Sequence, residues 1–420
     1  MKRYGCIGQK LTHSFSKEIH ARLADYPYDL IELQEDEIQP FLEKRAFAAI
    51  NVTIPYKQTV IPYLDAISDI AERIGAVNTI VNKDGRLFGY NTDYYGMKAL
   101  IERIGISLQG KKVLILGTGG TAKTARVVAT DLGAGEIWTV SRRKTDDHIL
   151  YEEAIHRHAD AEVIINTTPS GMYPDLDSTP IDIGCFPRLE GVVDAVYNPL
   201  CTNLVLDARA RGIRAEGGLY MLVVQAASAV EKFLDTTLSQ DAVEEVFTSI
   251  LASKENVVLI GMPGCGKSTV GRLLHIDGYT WIDTDAEIEK RCGCRIREMI
   301  ASRGERYFRD VESQVIDTAA SQTGLIISTG GGAVLRDKNL RALRRNGKLF
   351  FIDTPLSRLC ATEDRPLSDT NEKLADLYNQ RIEIYKAAAD VTVPYAETPQ
   401  AAADYILSKR MEKHHDHTCN

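Results

Sequence analysis

Lys267 and Ser268 close the run Gly261-x-x-x-x-Gly266-Lys267-Ser268, which follows directly on the apolar stretch Val257 to Ile260. A glycine-rich turn after a strand leaves backbone amides free to cradle phosphates, while the lysine reaches the β and γ phosphates and the serine hydroxyl meets Mg2+. Gly264, Cys265, Gly266, Lys267, Ser268 and Thr269 are the candidate contacts to such a nucleotide. Alone, this loop does not separate kinases from GTPases, transporters or helicases. A second nucleotide signature lies upstream, where Lys112 to Leu116 runs into Gly117-x-Gly119-x-x-Ala122 and then a helical stretch. The first glycine permits a tight turn, the second lets the backbone approach a pyrophosphate, and the small third residue lets helix and strand pack closely. Gly120 completes that set. At the end of the next strand-like run, where an NAD enzyme places a carboxylate for the ribose 2′-hydroxyl, stand Ser141, Arg142, Arg143 and Lys144. Guanidinium groups suit a 2′-phosphate, so the pattern predicts NADP.

These residues need elements to hold them. Strand-like apolar runs alternate with helix-length segments: residues 50–54, 112–116, 136–140, 163–166, 257–260 and 325–328. That alternation predicts an α/β chain with largely parallel sheets. At 420 residues the chain is long for one core, and two or three domains are expected. A helix over Asp241 to Leu251 followed by a polar stretch places a linker at residues 252–256 and a second domain over 257–410, with a tail at 411–420. The first half divides again into a lobe at 1–100, a dinucleotide-binding lobe at 101–212, and a helical segment at 213–251 packing back on the first lobe. A net charge of −8 argues against a general binder of nucleic acid or acidic membranes, and the expected partners are small molecules. The eight cysteines lack paired metal-site spacing and no run is long enough for a membrane helix, so reduced thiols and a cytoplasmic location are expected.

Polar and reactive residues also cluster upstream of the dinucleotide loop: His13-Ser14-x-Ser16, Asn51-Val-Thr53-x-Pro-x-Lys57, Gly75-Ala-x-Asn78-Thr and Gly89-x-Asn-Thr-Asp93. With Asn166 to Met172, Asp194 to Pro199 and Gly217 to Gln225, this ordered set resembles the shikimate dehydrogenase family over about residues 3–250. The resemblance implies a two-lobed dehydrogenase, an α/β substrate lobe plus a Rossmann NADP lobe, that transfers hydride between NADPH and the C3 carbonyl of 3-dehydroshikimate. It implies that Ser14 and Ser16 hold the substrate carboxylate, that Thr53, Asn78, Tyr197 and Gln225 address the ring, and that Lys57 and Asp93 are the catalytic pair. Gly218 joins the cofactor contacts on the same ground. Departures are Lys10, where the family often has proline, and Ser141, where asparagine is common.

Beyond the phosphate loop come Asp283-Thr-Asp285, Gly304 to Glu312 with Arg309, Ser328-Thr-Gly-Gly331-Gly332, Arg365-Pro-Leu and Arg381 to Tyr385. This set is similar to shikimate kinase over about residues 255–408. It implies a P-loop NTPase-type parallel α/β kinase domain in which Asp285, Arg309, Gly331, Gly332 and Arg381 bind shikimate. Glu312 would orient Arg309, Asp283 would join Ser268 at Mg2+, and Arg365 would close over ATP from a short acidic lid. The expected reactions are consecutive: NADPH-dependent reduction to shikimate, then ATP-dependent phosphorylation at O3. Oxidation of quinate by the first half stays open, as does a ligand-sensing scaffold. The scaffold is disfavoured because Lys57, Asp93, Lys267, Ser268, Asp285 and Arg309 are all present.

Overall fold

The computed structural model describes residues 3–11, 15–359 and 370–410. The chain divides into two compact units, residues 1–250 and 251–420.

The first unit contains two six-stranded sheets. In the first, the spatial order is Tyr28–Glu32, Tyr4–Gly8, Ala49–Val52, Thr79–Lys83, Arg86–Tyr90, Ala66–Ile67. Its first three strands are parallel, but Ala49–Val52 pairs antiparallel with Thr79–Lys83, which pairs antiparallel with Arg86–Tyr90. The expectation of parallel pairing therefore fails here. For the second of these pairings the cause is local: Asp84 (φ 52) and Gly85 (φ 86) make a two-residue hairpin turn between Thr79–Lys83 and Arg86–Tyr90 whose left-handed residues match strand twist.

The second sheet is parallel throughout, in the order Arg214–Glu216, Gly191–Asp194, Val163–Asn166, Lys112–Leu116, Glu136–Ser141, His148–Leu150. Strand order reverses direction between Lys112–Leu116 and Val163–Asn166, the position at which doubly wound sheets open a crevice for ligand. Both of those strands are almost wholly buried, as an interior parallel sheet requires. One expectation is corrected. Residues after Gly212 are not helical from the start, because Arg214–Glu216 adds an edge strand to this sheet before the helix Leu219–Leu234 begins. That helix does pack on the first lobe: Ala229 and Phe233 share an apolar cluster with Cys6, Leu11, Tyr28, Ala49 and Val81.

The second unit is one five-stranded parallel sheet, ordered Thr280–Asp283, Leu325–Ser328, Asn256–Ile260, Gly347–Ile352, Val391–Val393. Its central strand is buried along its whole length and leads straight into Gly261. The polar run expected as a linker is ordered secondary structure instead. Helix Gln240–Lys254 and strand Asn256–Ile260 leave Glu255 alone between them. The end of that run is tied down because Tyr279 OH donates to the Glu255 carbonyl at 2.7 Å and Asn256 Nδ2 donates to the Gln322 carbonyl at 2.8 Å.

Candidate functional site

In the first unit, Lys57 follows the strand Ala49–Val52, and Asp93 opens the helix Asp93–Arg103. The two meet as an ion pair, Lys57 Nζ to Asp93 Oδ2 at 2.5 Å, with side chains only 15% and 10% exposed. The other Asp93 oxygen accepts from Asn78 Nδ2 at 2.9 Å. Asn78 is held in turn, since its Oδ1 accepts from the Thr92 amide at 2.7 Å. A lysine pinned in this way presents a fixed positive charge and a proton. It does so beside the dinucleotide loop: a Cβ built on Gly120 would lie 3.7 Å from Lys57 Cδ.

That loop fits the cofactor it was expected to hold. Gly117 has φ 108, and a Cβ there would come within 2.8 Å of Thr167 Oγ1, so the turn demands glycine. Gly119 caps the helix Gly120–Asp131 without any side-chain cap, and nothing lies within 4 Å of where its Cβ would stand. The amide end of a 12-residue helix is thus open to a pyrophosphate. Ala122 is buried where helix meets sheet. Ser141 ends the strand Glu136–Ser141, and its hydroxyl accepts from the Arg143 amide at 3.1 Å. Arg142 and Arg143 are exposed, whereas Lys144 is engaged with Glu153 at 2.9 Å.

The other expected substrate contacts fall as follows. Ser16 begins the helix Ser16–Leu23, while Ser14 lies outside the described residues. Thr53 is half-buried at the turn that leads to Lys57, and its amide donates to the Ile7 carbonyl at 3.0 Å. Tyr197 packs its ring on Phe15 at 5.3 Å, and burial pushes its phenol above the ordinary value. Gln225 sits on the helix Leu219–Leu234, its Nε2 donating to the Leu222 carbonyl at 2.9 Å. Gly218 caps that helix, and a Cβ there would strike the Ala195 carbonyl at 2.3 Å. Close approach at Gly218 joins the helix to the Asp194 to Pro199 segment.

In the second unit, Gly264 and Gly266 have φ 83 and 91, and Cys265 is a buried filler between them. Lys267 and Thr269 continue into the helix Lys267–Leu273. Lys267 Nζ donates to the carbonyls of Gly261 and Met262, both at 2.9 Å. Ser268 Oγ donates to Asp283 Oδ2 at 2.5 Å. Asp283 also caps the helix Thr284–Cys292, its Oδ1 accepting from the amides of Asp285 and Ala286. The Ser268 and Asp283 oxygens suit Mg2+, a hard cation that takes one or two protein oxygens and fills its shell with water and phosphate.

Three expected shikimate contacts, Asp285, Arg309 and Arg381, converge on the turn Gly330 to Gly332, which holds the other two, Gly331 and Gly332. A Cβ on Gly330 would sit 2.6 Å from Asp285 Oδ1 and 2.9 Å from Glu312 Oε1, and one on Gly332 would sit 2.3 Å from Arg309 NH1. Arg381 NH1 donates to the Gly331 carbonyl at 3.2 Å. Arg309 is held by Glu312 through two bonds of 3.1 and 2.9 Å and by Glu305 at 3.2 Å. Gly304, at φ 83, breaks the helical stretch Ile296–Ala320 just before this group. Burial, aided by the Asp283 and Glu312 carboxylates, pushes Asp285 up to about 6, and its Oδ1 is buried without a hydrogen-bond partner. Such a carboxyl is ready to accept a proton from a bound hydroxyl. Arg365 lies outside the described residues.

Sequence reasoning gave no role to Thr92, Thr79 or Tyr385. Tyr385 OH bonds the same Gly331 carbonyl as Arg381. The spacing of Arg381 and Tyr385, four apart on one helix, was the available signal.

The model of the shikimate dehydrogenase substrate binding domain matches residues 6–80, and that of shikimate kinase matches residues 263–410. A shikimate dehydrogenase (NADP(+)) of Clostridium beijerinckii is 38% identical over 261 residues, which are 57% of this chain and 96% of that protein. The chain belongs to the shikimate dehydrogenase family, with a shikimate kinase domain behind it. Among solved structures, shikimate dehydrogenase 1 from Peptoclostridium difficile matches with TM-score 0.55 and 34% identity, covering 60% of this chain and 98% of that one. The shikimate 5-dehydrogenase of Thermus thermophilus, in complex with NADP(H) and shikimate, matches with TM-score 0.54 and 30% identity over 59% of this chain and 99% of that one. The dehydrogenase likeness thus accounts for the first unit, and the kinase model for most of the second. Among the described residues, no helix is long and apolar enough to cross a membrane.

Proposed function

We propose that the chain catalyses two consecutive steps: NADPH-dependent reduction of 3-dehydroshikimate to shikimate, and ATP-dependent phosphorylation of shikimate at its 3-hydroxyl. The observation that carries the first step is the Lys57–Asp93 pair standing beside Gly120 of the dinucleotide loop. When bound, NADPH supplies the hydride. The Lys57 ammonium stabilises the alkoxide that develops on the ketone oxygen and gives it a proton, while Asp93 and Asn78 hold the ammonium in place. Ser14 and Ser16 take the substrate carboxylate, and Thr53, Tyr197 and Gln225 take the ring edges. Arg142 and Arg143 recognise the 2′-phosphate.

For the second step, Arg309 and Arg381 grip the shikimate carboxylate beside Gly331 and Gly332, and Asp285 orients the 3-hydroxyl and accepts its proton. Lys267 turns from its own loop carbonyls to the β and γ phosphates. Mg2+, when held at Ser268 and Asp283, neutralises phosphate charge. Arg365 covers the nucleotide.

The test supplies 3-dehydroshikimate, NADPH, ATP and Mg2+ and follows NADPH loss together with shikimate 3-phosphate by mass spectrometry. Lys57→Ala is expected to lower only the reduction, by about 10²–10⁴-fold, and Lys267→Ala only the phosphorylation. Retention of the targeted step in either variant refutes that assignment.

A further inference from the structure

The buried polar groups behind Lys57 and Asp93 form one connected set that ends at Tyr28, on a strand that contributes no expected substrate contact. Tyr28 OH donates to Asn51 Oδ1 at 2.7 Å. With its oxygen taken, the Asn51 amide turns Nδ2 to Thr79 Oγ1 at 3.1 Å and to the Asn78 carbonyl at 3.3 Å. Thr79 Oγ1, having accepted, donates to Asn78 Oδ1 at 3.0 Å. Asn78 Nδ2 then donates to Asp93 Oδ1 at 2.9 Å, which leaves Oδ2 for Lys57. Each link fixes the direction of the next, because an amide presents an acceptor at one end and donors at the other. Every member from Tyr28 to Asp93 is at most 7% exposed, so water cannot substitute for a lost partner. Burial drives the Tyr28 phenol well above its ordinary ionisation range, which keeps it a donor at all working pH values.

The ring of Tyr28 has an ordinary packing role. It stacks on His20 at 3.9 Å and lies in the cluster with Ala229 and Phe233. Phenylalanine would serve that role equally well. What phenylalanine lacks is the hydroxyl, whose bond points away from the apolar cluster and into the polar set.

We propose that Tyr28 is a positioning residue for the reduction: by fixing the direction of the Asn51 amide, it sets the donor order through Thr79 and Asn78 that aims Asp93 and Lys57 at the ketone. This rests on the reading of Lys57 and Asp93 as the reducing pair. The near end of the set is also anchored by the Thr92 amide on Asn78 Oδ1. Losing the far end therefore loosens the catalytic pair without dismantling it.

Steady-state reduction of 3-dehydroshikimate by the full chain tests this, with thermal unfolding of each variant followed alongside. Tyr28→Phe and Thr79→Val are each expected to lower kcat about tenfold, the scale of one buried hydrogen bond, while the KM for NADPH stays within about twofold. Thr79→Ser, which restores the hydroxyl, is expected to recover most of the rate. Phe233→Leu loosens the same aromatic cluster without touching the polar set, and its kcat is expected to stay within about twofold of the parent. The proposal is overturned if Tyr28→Phe keeps the parent kcat, if Phe233→Leu loses as much as Tyr28→Phe, or if Thr79→Ser is no better than Thr79→Val. A parent chain that does not reduce the ketone, or a Lys57→Ala variant that still does, would instead defeat the reading beneath the proposal.

Discussion

Asp285→Asn should make the kinase unit more stable while it destroys the kinase reaction. Asp285 Oδ1 is buried without a partner and shares its surroundings with the Asp283 and Glu312 carboxylates. Its folded-state value rises from the ordinary 3.8 to about 6, chiefly through burial. A raised value means that the folded state holds the proton more tightly than the unfolded one. No penalty exists below the ordinary value; it grows between 3.8 and about 6, and it is complete above that. At 1.36 kcal/mol per unit, the full penalty at pH 7.5 is about 3 kcal/mol, and at pH 5 it is roughly half as large. Asparagine keeps the shape of the side chain and removes the charge, so a gain of about 1–3 kcal/mol is expected at pH 7.5 after allowing for the new amide's own hydrogen-bond needs. For a unit of this size, that corresponds to a rise of roughly 2–10 °C in its unfolding midpoint. Calorimetry of the full chain reads the shift, with the kinase transition identified as the one that moves on adding a nucleotide analogue and Mg2+. A smaller gain at pH 5 than at pH 7.5 is the diagnostic sign. An unchanged or lowered kinase midpoint at pH 7.5, or a gain that does not shrink with pH, would refute the argument.

Other outcomes follow from the same geometry. Because Asp285 must be ionised to accept a proton, the kinase kcat/KM for shikimate should be flat above pH about 6 and fall about tenfold per unit below it, as a pH-rate series will show. Replacing both Arg142 and Arg143 with alanine should raise the KM for NADPH about 10–100-fold with little change for NADH, the loss of charge-assisted bonds to the 2′-phosphate. Tyr385→Phe frees one of the two bonds on the Gly331 carbonyl, so the KM for shikimate should rise about three- to tenfold in a coupled kinase assay.

The glycine-rich loops were legible in the sequence because each depends on a short contiguous run with a strand before and a helix after. Lys57 and Asp93 were legible as residue types but not as a contact. They are 36 residues apart, and only the return of the chain through the Thr79–Lys83 and Arg86–Tyr90 hairpin brings them together. That hairpin did carry a signal, Asp84-Gly85, which alternation of helix and strand alone passes over. The strand Arg214–Glu216 carried none: three residues, two of them charged, are too few to show a period. Tyr28 was invisible for a different reason. It pairs with Tyr4 and Asn51 pairs with Cys6, so their meeting is set by sheet register across an intervening strand. The carboxylate crowding at Asp285 was likewise hidden, because Glu312 reaches it through the fold rather than along the chain.

The carbonyls that hold Lys267 in its own loop make nucleotide capture a swap of partners. Those two carbonyls satisfy the lysine's donors within the loop itself. An arriving phosphate must outbid two backbone dipoles, which moderates affinity and leaves a ready acceptor pair for the lysine when the spent nucleotide departs. Turnover in such a loop is eased at both ends by the same two oxygens.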